Sequence, residues 1–129
     1  HKPRYSFPAK VKKFNNKIIS PNEICEIIEG KKISFILDTQ LCNGCYELAE
    51  NADLLISECV YASDLENKAE KYKHMTAKQA ANLASQSNVK KLILTHFSQR
   101  YKDIREVQED AKNIFANTEC AYDFMKIKL

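Results

Sequence analysis

Residues 92–101 read LILTHFSQRY, an apolar run that ends on a cluster of polar side chains. Such a short aliphatic run predicts a buried strand over 91–95. Its polar end has two interpretations. It is either a loop that turns back through water, or a site that binds a metal or a phosphate at the carboxyl end of the strand.

Further strands and helices alternate on either side of this run. ISFIL (33–37) and DLLISECV (53–60) are typical of buried strands. In TAKQAANLASQSN (76–88) the alanines share one helical face, and Thr76 is a plausible N-cap. The spacing of apolar residues over 104–115 predicts another amphipathic helix. This alternation favours an α/β layered fold.

Weaker patterns complete the predicted order of elements. NGCYELAENA (43–52) predicts a short helix capped by Asn43, and ENKAEKYK (66–73) a surface helix or loop. The residues before Gly30, 23–29, and the last nine residues, 121–129, predict two more strands. With two glycines and no repeats, we expect a single domain over 1–129.

Composition limits the class of protein. The 129 residues are 44% hydrophobic and 29% charged, as is ordinary for a globular domain, and no apolar run approaches the ~20 residues of a membrane span. Five cysteines, of which only Cys42 and Cys45 form a C-x-x-C pair, argue for a reducing compartment, by default the cytoplasm. The C-x-x-C pair itself favours a structural role over a redox or half-zinc motif.

The amino-terminal arm, about residues 1–20, has an uneven charge. Its first 17 residues hold six Lys or Arg and no acid. Contact with phosphates and a solvated flexible arm are both consistent with this composition. The chain starts with His rather than Met, which suggests a processed chain or a fragment.

Three predicted strands end on reactive residues: Asp38, Glu58 and His96. In α/β folds, chemistry gathers beyond the carboxyl ends of strands. A carboxylate and an imidazole are good zinc or manganese ligands, and a second carboxylate can orient a second histidine, for which His74 is the candidate. The alternatives are a turn or cap role for the aspartate and a hydrogen-bonded structural role for each histidine.

Four ordered blocks then carry a family resemblance: FILDT (35–39), ADLLISECVY (52–61), YKHMTAKQAANLA (72–84) and VKKLILTHFSQRY (89–101). In order and spacing they resemble the carboxyl-terminal half of ribonuclease Z, the tRNA 3'-processing endonuclease of the metallo-β-lactamase superfamily. The resemblance implies half of an αβ/βα sandwich, with one mixed sheet flanked by helices.

The blocks depart from the family pattern at several positions. Leu37 replaces the glycine of Gly-Asp-Thr, but Asp38 is kept. Of the His-Glu-Ala-Thr loop only Glu58 remains, and of the His-Ser-Thr loop His74 and Thr76 remain.

The resemblance implies roles for these residues. Asp38 would bridge two metal ions, normally zinc with manganese or magnesium possible, and His96 would ligate one of them. His74 would donate a proton to the leaving oxygen, or a hydrogen bond in the transition state, with Glu58 holding its ring. The implied reaction removes the 3' trailer of precursor tRNA by attack of a metal-activated hydroxide.

Ser98 and Arg100, which follow His96 in the sequence, are candidates for binding the substrate phosphate. The resemblance implies that Arg100, with Ser98, presents hydrogen-bond donors to the RNA backbone. For Arg100 a structural ion pair is the alternative.

The family's His-x-His-x-Asp-His motif is missing. The sequence has three histidines, His1, His74 and His96, none with that spacing. Because Asp38 and His96 alone do not complete a dinuclear site, we expect the chain to be inactive alone and to be a fragment, an incomplete gene product or one half of a split enzyme. An exposed apolar sheet face would then bind the missing amino-terminal half or a second copy.

Two other functions stay open. One is a non-catalytic module of the same fold that binds RNA or a protein. The other is a different metallo-β-lactamase-type hydrolase, such as an arylsulfatase or phosphodiesterase relative.

Overall fold

The computed structural model describes residues 28–129 and, before them, strands at 12–14 and 17–19. Contacts divide the chain into two compact units, His1–Gly30 and Lys31–Leu129, and the predicted single domain with a basic arm stays a prediction. In the first unit β1 (Lys12–Phe14) pairs antiparallel with β2 (Lys17–Ile19). The strand predicted over 23–29 falls mainly outside the described residues.

The second unit alternates strands and helices. In chain order they are β3 (Ile33–Ile36), α1 (Asn43–Ala49), β4 (Leu54–Glu58), α2 (Glu66–Tyr72), α3 (Ala77–Gln86), β5 (Leu92–Thr95), α4 (Arg105–Lys112) and β6 (Thr118–Cys120). A 3-10 turn, Ser63–Leu65, leads into α2. Within the described chain, no helix has the length and apolar character that crossing a bilayer requires.

The four strands β3 to β6 form one sheet in chain order, and every neighbouring pair is parallel. Within the described residues this sheet is therefore parallel, whereas a mixed sheet was expected. The strand predicted before the Gly30 turn, over 23–29, lies mainly outside those residues. At the carboxyl-terminal edge the last strand is Thr118–Cys120, and residues 121–129, which were predicted to form a strand, form none. Thr118 and Cys120 are buried, and Gln108 of α4 accepts a hydrogen bond from the Cys120 N–H, which holds β6 against α4.

One face of the sheet carries the main apolar core. Side chains alternate along each strand, so Ile36, Leu55, Leu92 and Leu94 share the face on which the helices pack. The helices supply mainly small residues to this core: Ala49, Ala77, Ala80, Ala81, Ala84, Val107 and Ala111. The alternate residues of β3 and its end, Ile33, Phe35 and Leu37, remain 45% to 60% exposed.

Helix α3 begins with a complete capping box, as the sequence predicted. Thr76 Oγ1 accepts the Gln79 N–H at 3.3 Å, and Gln79 Oε1 accepts the Thr76 N–H at 3.0 Å. For α1 the N-cap is Cys42, one residue before the predicted Asn43, and its side chain makes no capping bond. The weakly predicted segment 66–73 forms α2, which ends on Lys73 in the left-handed region.

Candidate metal centre

The carboxyl ends of β3, β4 and β5 lie at the same edge of the sheet, because these strands are parallel neighbours. Asp38 follows β3 and His96 follows β5, and both have positive φ angles, 56° and 58°. A non-glycine residue in this region costs about 1 kcal/mol or more, so both positions hold backbone strain. Such strain clusters at functional sites, although Asn51, Lys73, Asn88 and Phe124 also have positive φ angles.

Asp38, His74 and His96 come together at this edge. One potential ligand atom from each lies within 4.8 Å of the other two. The rings of His74 and His96 are 5.5 Å apart between centroids. Asp38 and His96 are exposed and His74 is partly exposed, so the cluster faces solvent on one side.

Glu58 lies beneath the cluster and is completely buried. Its Oε2 accepts the Met75 N–H at 3.0 Å and lies 3.0 Å from His74 Nδ1, while its Oε1 accepts the Thr39 N–H. The second contact of His74 Nδ1 is Asp38 Oδ1, at 3.9 Å. A buried carboxylate is stable only when its oxygens are hydrogen-bonded, and here the loops after β3 and before α3 supply the donors.

Backbone hydrogen bonds join the loops that carry the cluster. The Cys59 N–H donates to the Thr95 carbonyl at 2.8 Å, and the Ser98 N–H to the Val60 carbonyl at 3.0 Å. The Tyr101 hydroxyl accepts the Ala62 N–H at 2.7 Å. The segment after His96 is therefore fixed to the segment after Glu58.

Arg100 is exposed and its guanidinium lies over the Tyr61 ring, 5.6 Å from Cζ to the centroid. Lys68 approaches the same ring at 6.0 Å. Among the residues described, no carboxylate forms an ion pair with Arg100, so the structural ion pair considered for it is not observed there. Ser98 is partly exposed, and its Oγ accepts the Arg100 N–H at 3.5 Å.

Sequence reasoning missed three supporting groups. The N–H groups of Thr39 and Met75 hold Glu58, and the Tyr61 ring supports Arg100. The N–H groups of Thr39 and Met75 could not be predicted from the sequence, because almost every residue type has a backbone N–H. Tyr61 is the last residue of the block ADLLISECVY (52–61), but nothing in the sequence indicates that its ring has a partner 39 residues later, at Arg100.

The donor set fits a transition metal such as zinc. Imidazole and carboxylate groups both bind zinc at about 2.1 Å, so two ligands of one ion are at most about 4.2 Å apart. The three atoms lie within 4.8 Å of one another, and the Asp38 side chain, which is 77% exposed, has room to move and close the remaining gap. The Glu58 carboxylate beside His74 matches the way outer carboxylates fix the rings of ligating or reacting histidines.

Comparisons with known proteins agree with this architecture. Over 104 residues the chain is 39% identical to a curated ribonuclease Z from Protochlamydia amoebophila, a match that covers 81% of this chain and 34% of the relative. The solved metallo-β-lactamase fold protein YhfI from Bacillus subtilis superposes with a TM-score of 0.63 and 27% identity, over 69% of this chain and 36% of that one. The solved structure of human tRNase Z, short form, superposes with a TM-score of 0.59 and 31% sequence identity, over 86% of this chain and 36% of that one. No family model matches the chain.

The parallel sheet, its helices and these neighbours define a protein of the metallo-β-lactamase fold class. Within that class the chain is related to ribonuclease Z, and it spans about a third of the length of the relatives it matches. The resemblance and the fold class predicted from the sequence are thus confirmed.

Proposed function

We propose that this chain is the part of a ribonuclease Z-like, metal-dependent endoribonuclease that supplies Asp38, His74 and His96 to the active site. The observation that supports the proposal is their convergence within 4.8 Å above a buried Glu58. The substrate class is precursor tRNA, from which the complete enzyme would remove the 3' trailer. We also expect the reaction to take place in the cytoplasm.

Asp38 and His96 are the proposed metal ligands, with zinc the expected ion and manganese or magnesium as substitutes. When bound, such ions supply a water molecule acidified enough to attack a phosphodiester. The chain's own contribution is orientation, because the parallel strands and the loops after them bring potential ligand atoms of both residues within 4.8 Å of each other.

His74 is the proposed proton donor to the leaving oxygen. Its Nδ1 contacts Glu58, so its Nε2 remains for the substrate. The Glu58 contact also fixes the orientation of the His74 ring. The alternative is that His74 completes the metal ligands, since the same ring lies within ligand distance of Asp38 and His96.

Arg100 is the proposed phosphate contact. A guanidinium stacked on an aromatic ring keeps its donors in a fixed plane, which suits two parallel bonds to phosphate oxygens. Ser98 would add a hydroxyl donor from the same segment.

The complete enzyme needs further ligands, and we propose that they come from a polypeptide with the His-x-His-x-Asp-His motif. The exposed Ile33, Phe35 and Leu37 form an apolar strip along β3 where that polypeptide would pack its own sheet. This chain alone is then inactive as a nuclease.

The test is to measure zinc content and cleavage of a precursor tRNA, first for this chain alone and then after mixing with a polypeptide that carries the histidine motif. We expect bound zinc and cleavage only in the mixture. In that mixture, Asp38→Ala and His96→Ala should lower zinc content, whereas His74→Ala should abolish cleavage and leave zinc bound.

The matched control is His1→Ala, which removes the one histidine outside the cluster and should change neither property. Loss of zinc in His74→Ala would instead identify His74 as a ligand. Complex formation without zinc or cleavage would contradict the nuclease and favour a non-catalytic module that binds RNA or a protein.

A further inference from the structure

Two cysteines that the proposed nuclease site does not use lie side by side where α1 begins. Cys42 is the N-cap residue and Cys45 lies in the first turn. Their sulfur atoms are 3.6 Å apart and share a hydrogen bond. A disulfide requires about 2.05 Å between sulfurs, so the pair needs to close by only about 1.5 Å.

The two thiols have different environments. Cys42 is exposed and Cys45 is 3% exposed. Hydrogen bonds from the backbone and then the side chain of Cys45 lower the pKa of the Cys42 thiol, while burial raises the pKa of the Cys45 thiol. This asymmetry is typical of a pair in which an accessible sulfur reacts first and a buried one resolves the product.

The other described cysteines lack these properties. Cys59 and Cys120 are buried, and burial raises the pKa of the Cys120 thiol to about 11 and that of Cys59 still higher. Their sulfurs contact backbone carbonyls, of Tyr61 at 3.6 Å and of Ile104 at 4.0 Å. They serve as internal controls for any oxidation at Cys42 and Cys45.

We propose that Cys42 and Cys45 form a reversible dithiol–disulfide couple that reacts with hydroperoxides. The Cys42 thiolate attacks a peroxide oxygen; the O–O bond breaks, an alcohol or water leaves with a proton, and Cys42 becomes a sulfenic acid. The Cys45 sulfur then attacks the Cys42 sulfur, the S–O bond breaks, and the hydroxide leaves as water with the Cys45 proton. Two electrons pass from the pair to the peroxide, and a dithiol reductant returns them.

The couple is connected to the loop that carries Asp38. In the dithiol form the Cys45 thiol donates to the Gln40 carbonyl at 3.8 Å. A disulfide has no S–H, so oxidation removes this bond two residues from Asp38. If Asp38 has the role proposed above, the state of the pair adjusts the backbone that positions it, but the couple does not depend on that role.

The experiment oxidises the reduced chain with hydrogen peroxide, alkylates the remaining thiols under denaturing conditions, and cleaves after glutamate. Cleavage at Glu29 and Glu47 releases residues 30–47, which contain Cys42 and Cys45 and no other cysteine. We expect this peptide to be unalkylated and two hydrogens lighter than its dithiol form, and dithiothreitol treatment before alkylation should restore both thiols. The peptides with Cys59 and Cys120 should stay alkylated.

Matched variants separate the roles of the two sulfurs. With oxidised glutathione as oxidant, Cys45→Ser should keep glutathione on Cys42, whereas the natural chain should resolve that adduct to the internal disulfide. Cys42→Ser should leave Cys45 alkylatable, and far-UV circular dichroism checks that both variants are folded. Two alkylatable thiols after oxidation of the natural chain, or a glutathione adduct that persists on Cys42, would overturn the proposal.

Discussion

Glu58 places a carboxylate in the interior of a small domain, where an unpaired charge would be costly. Its oxygens accept two backbone N–H groups and contact one imidazole. The residue therefore joins three segments of chain, those of Thr39, of His74 and Met75, and of β4. A role in stability is expected beside any role in catalysis.

Replacing the Glu58 carboxylate should lower the free energy of unfolding, because its oxygens accept two backbone N–H groups. Glu58→Gln places an amide NH₂ against a backbone N–H, and we expect the free energy of unfolding to fall by about 2 kcal/mol. Glu58→Ala leaves the N–H groups of Thr39 and Met75 without an acceptor and should lower it by about 4 kcal/mol. Urea unfolding measures both. Asp38→Asn is the control, because Asp38 is 77% exposed and should change the value by less than about 0.5 kcal/mol. If substitutions at Glu58 and at Asp38 lowered the free energy of unfolding equally, the buried hydrogen bonds of Glu58 would not contribute to stability as expected.

Asp53 should make stability depend on pH in the acid range. The Lys90 ammonium, and then the Lys32 N–H, lower the pKa of Asp53 from 3.8 to about 2. A lowered pKa in the folded state contributes stability above 3.8, and that contribution is lost as pH falls through about 2. The unfolding free energies of the natural chain and Asp53→Asn should therefore differ at neutral pH and converge across this interval. If the two unfolding free energies instead changed in parallel with pH, Asp53 would make no contribution to the pH dependence of stability.

Among the helices and strands, the predictable ones are those whose stabilising residues lie close together in sequence. Helix α3 was predictable because its cap and its buried alanines are neighbours in sequence. The last strand was misplaced because residues 121–129 alternate in polarity, while burial against α4 selects Thr118 and Cys120. In the candidate site, Asp38, His74 and His96 could be named from strand ends and family resemblance, but the positive φ angles and the donors to Glu58 arise only from tertiary contacts.

The capping box of α3 is worth testing because Thr76 is both a cap and nearly fully buried. Thr76→Val keeps the volume and removes the oxygen that accepts the Gln79 N–H, and we expect a loss of about 1.5 kcal/mol in urea unfolding. Thr76→Ser keeps that oxygen and should lower the free energy of unfolding by less than Thr76→Val does. If the serine variant were the less stable one, methyl packing would be the dominant contribution of Thr76.

The strip of Ile33, Phe35 and Leu37 is an apolar surface at β3, which lies at one edge of the described sheet. An exposed face of this kind favours association. We expect the natural chain to form assemblies larger than a monomer in sedimentation velocity experiments, and Phe35→Glu to shift it toward the monomer and to weaken binding of the complementary polypeptide.

The control substitution for the strip is Phe124→Glu. Phe124 is 97% exposed but belongs to no strand. The Phe124→Glu variant should therefore have the same sedimentation profile as the natural chain. Identical profiles for the two glutamate variants would show that the β3 strip has no special part in association.

The left-handed backbone at Asp38 and His96 also has a consequence for laboratory evolution. Glycine adopts this conformation without steric cost, so Asp38→Gly or His96→Gly should relieve strain and offset part of the chain entropy that glycine adds to the unfolded state. A library selected only for folding should accept glycine at both positions. Selection for hydrolysis should restore aspartate and histidine, because a hydrogen atom in place of either side chain cannot bind an ion.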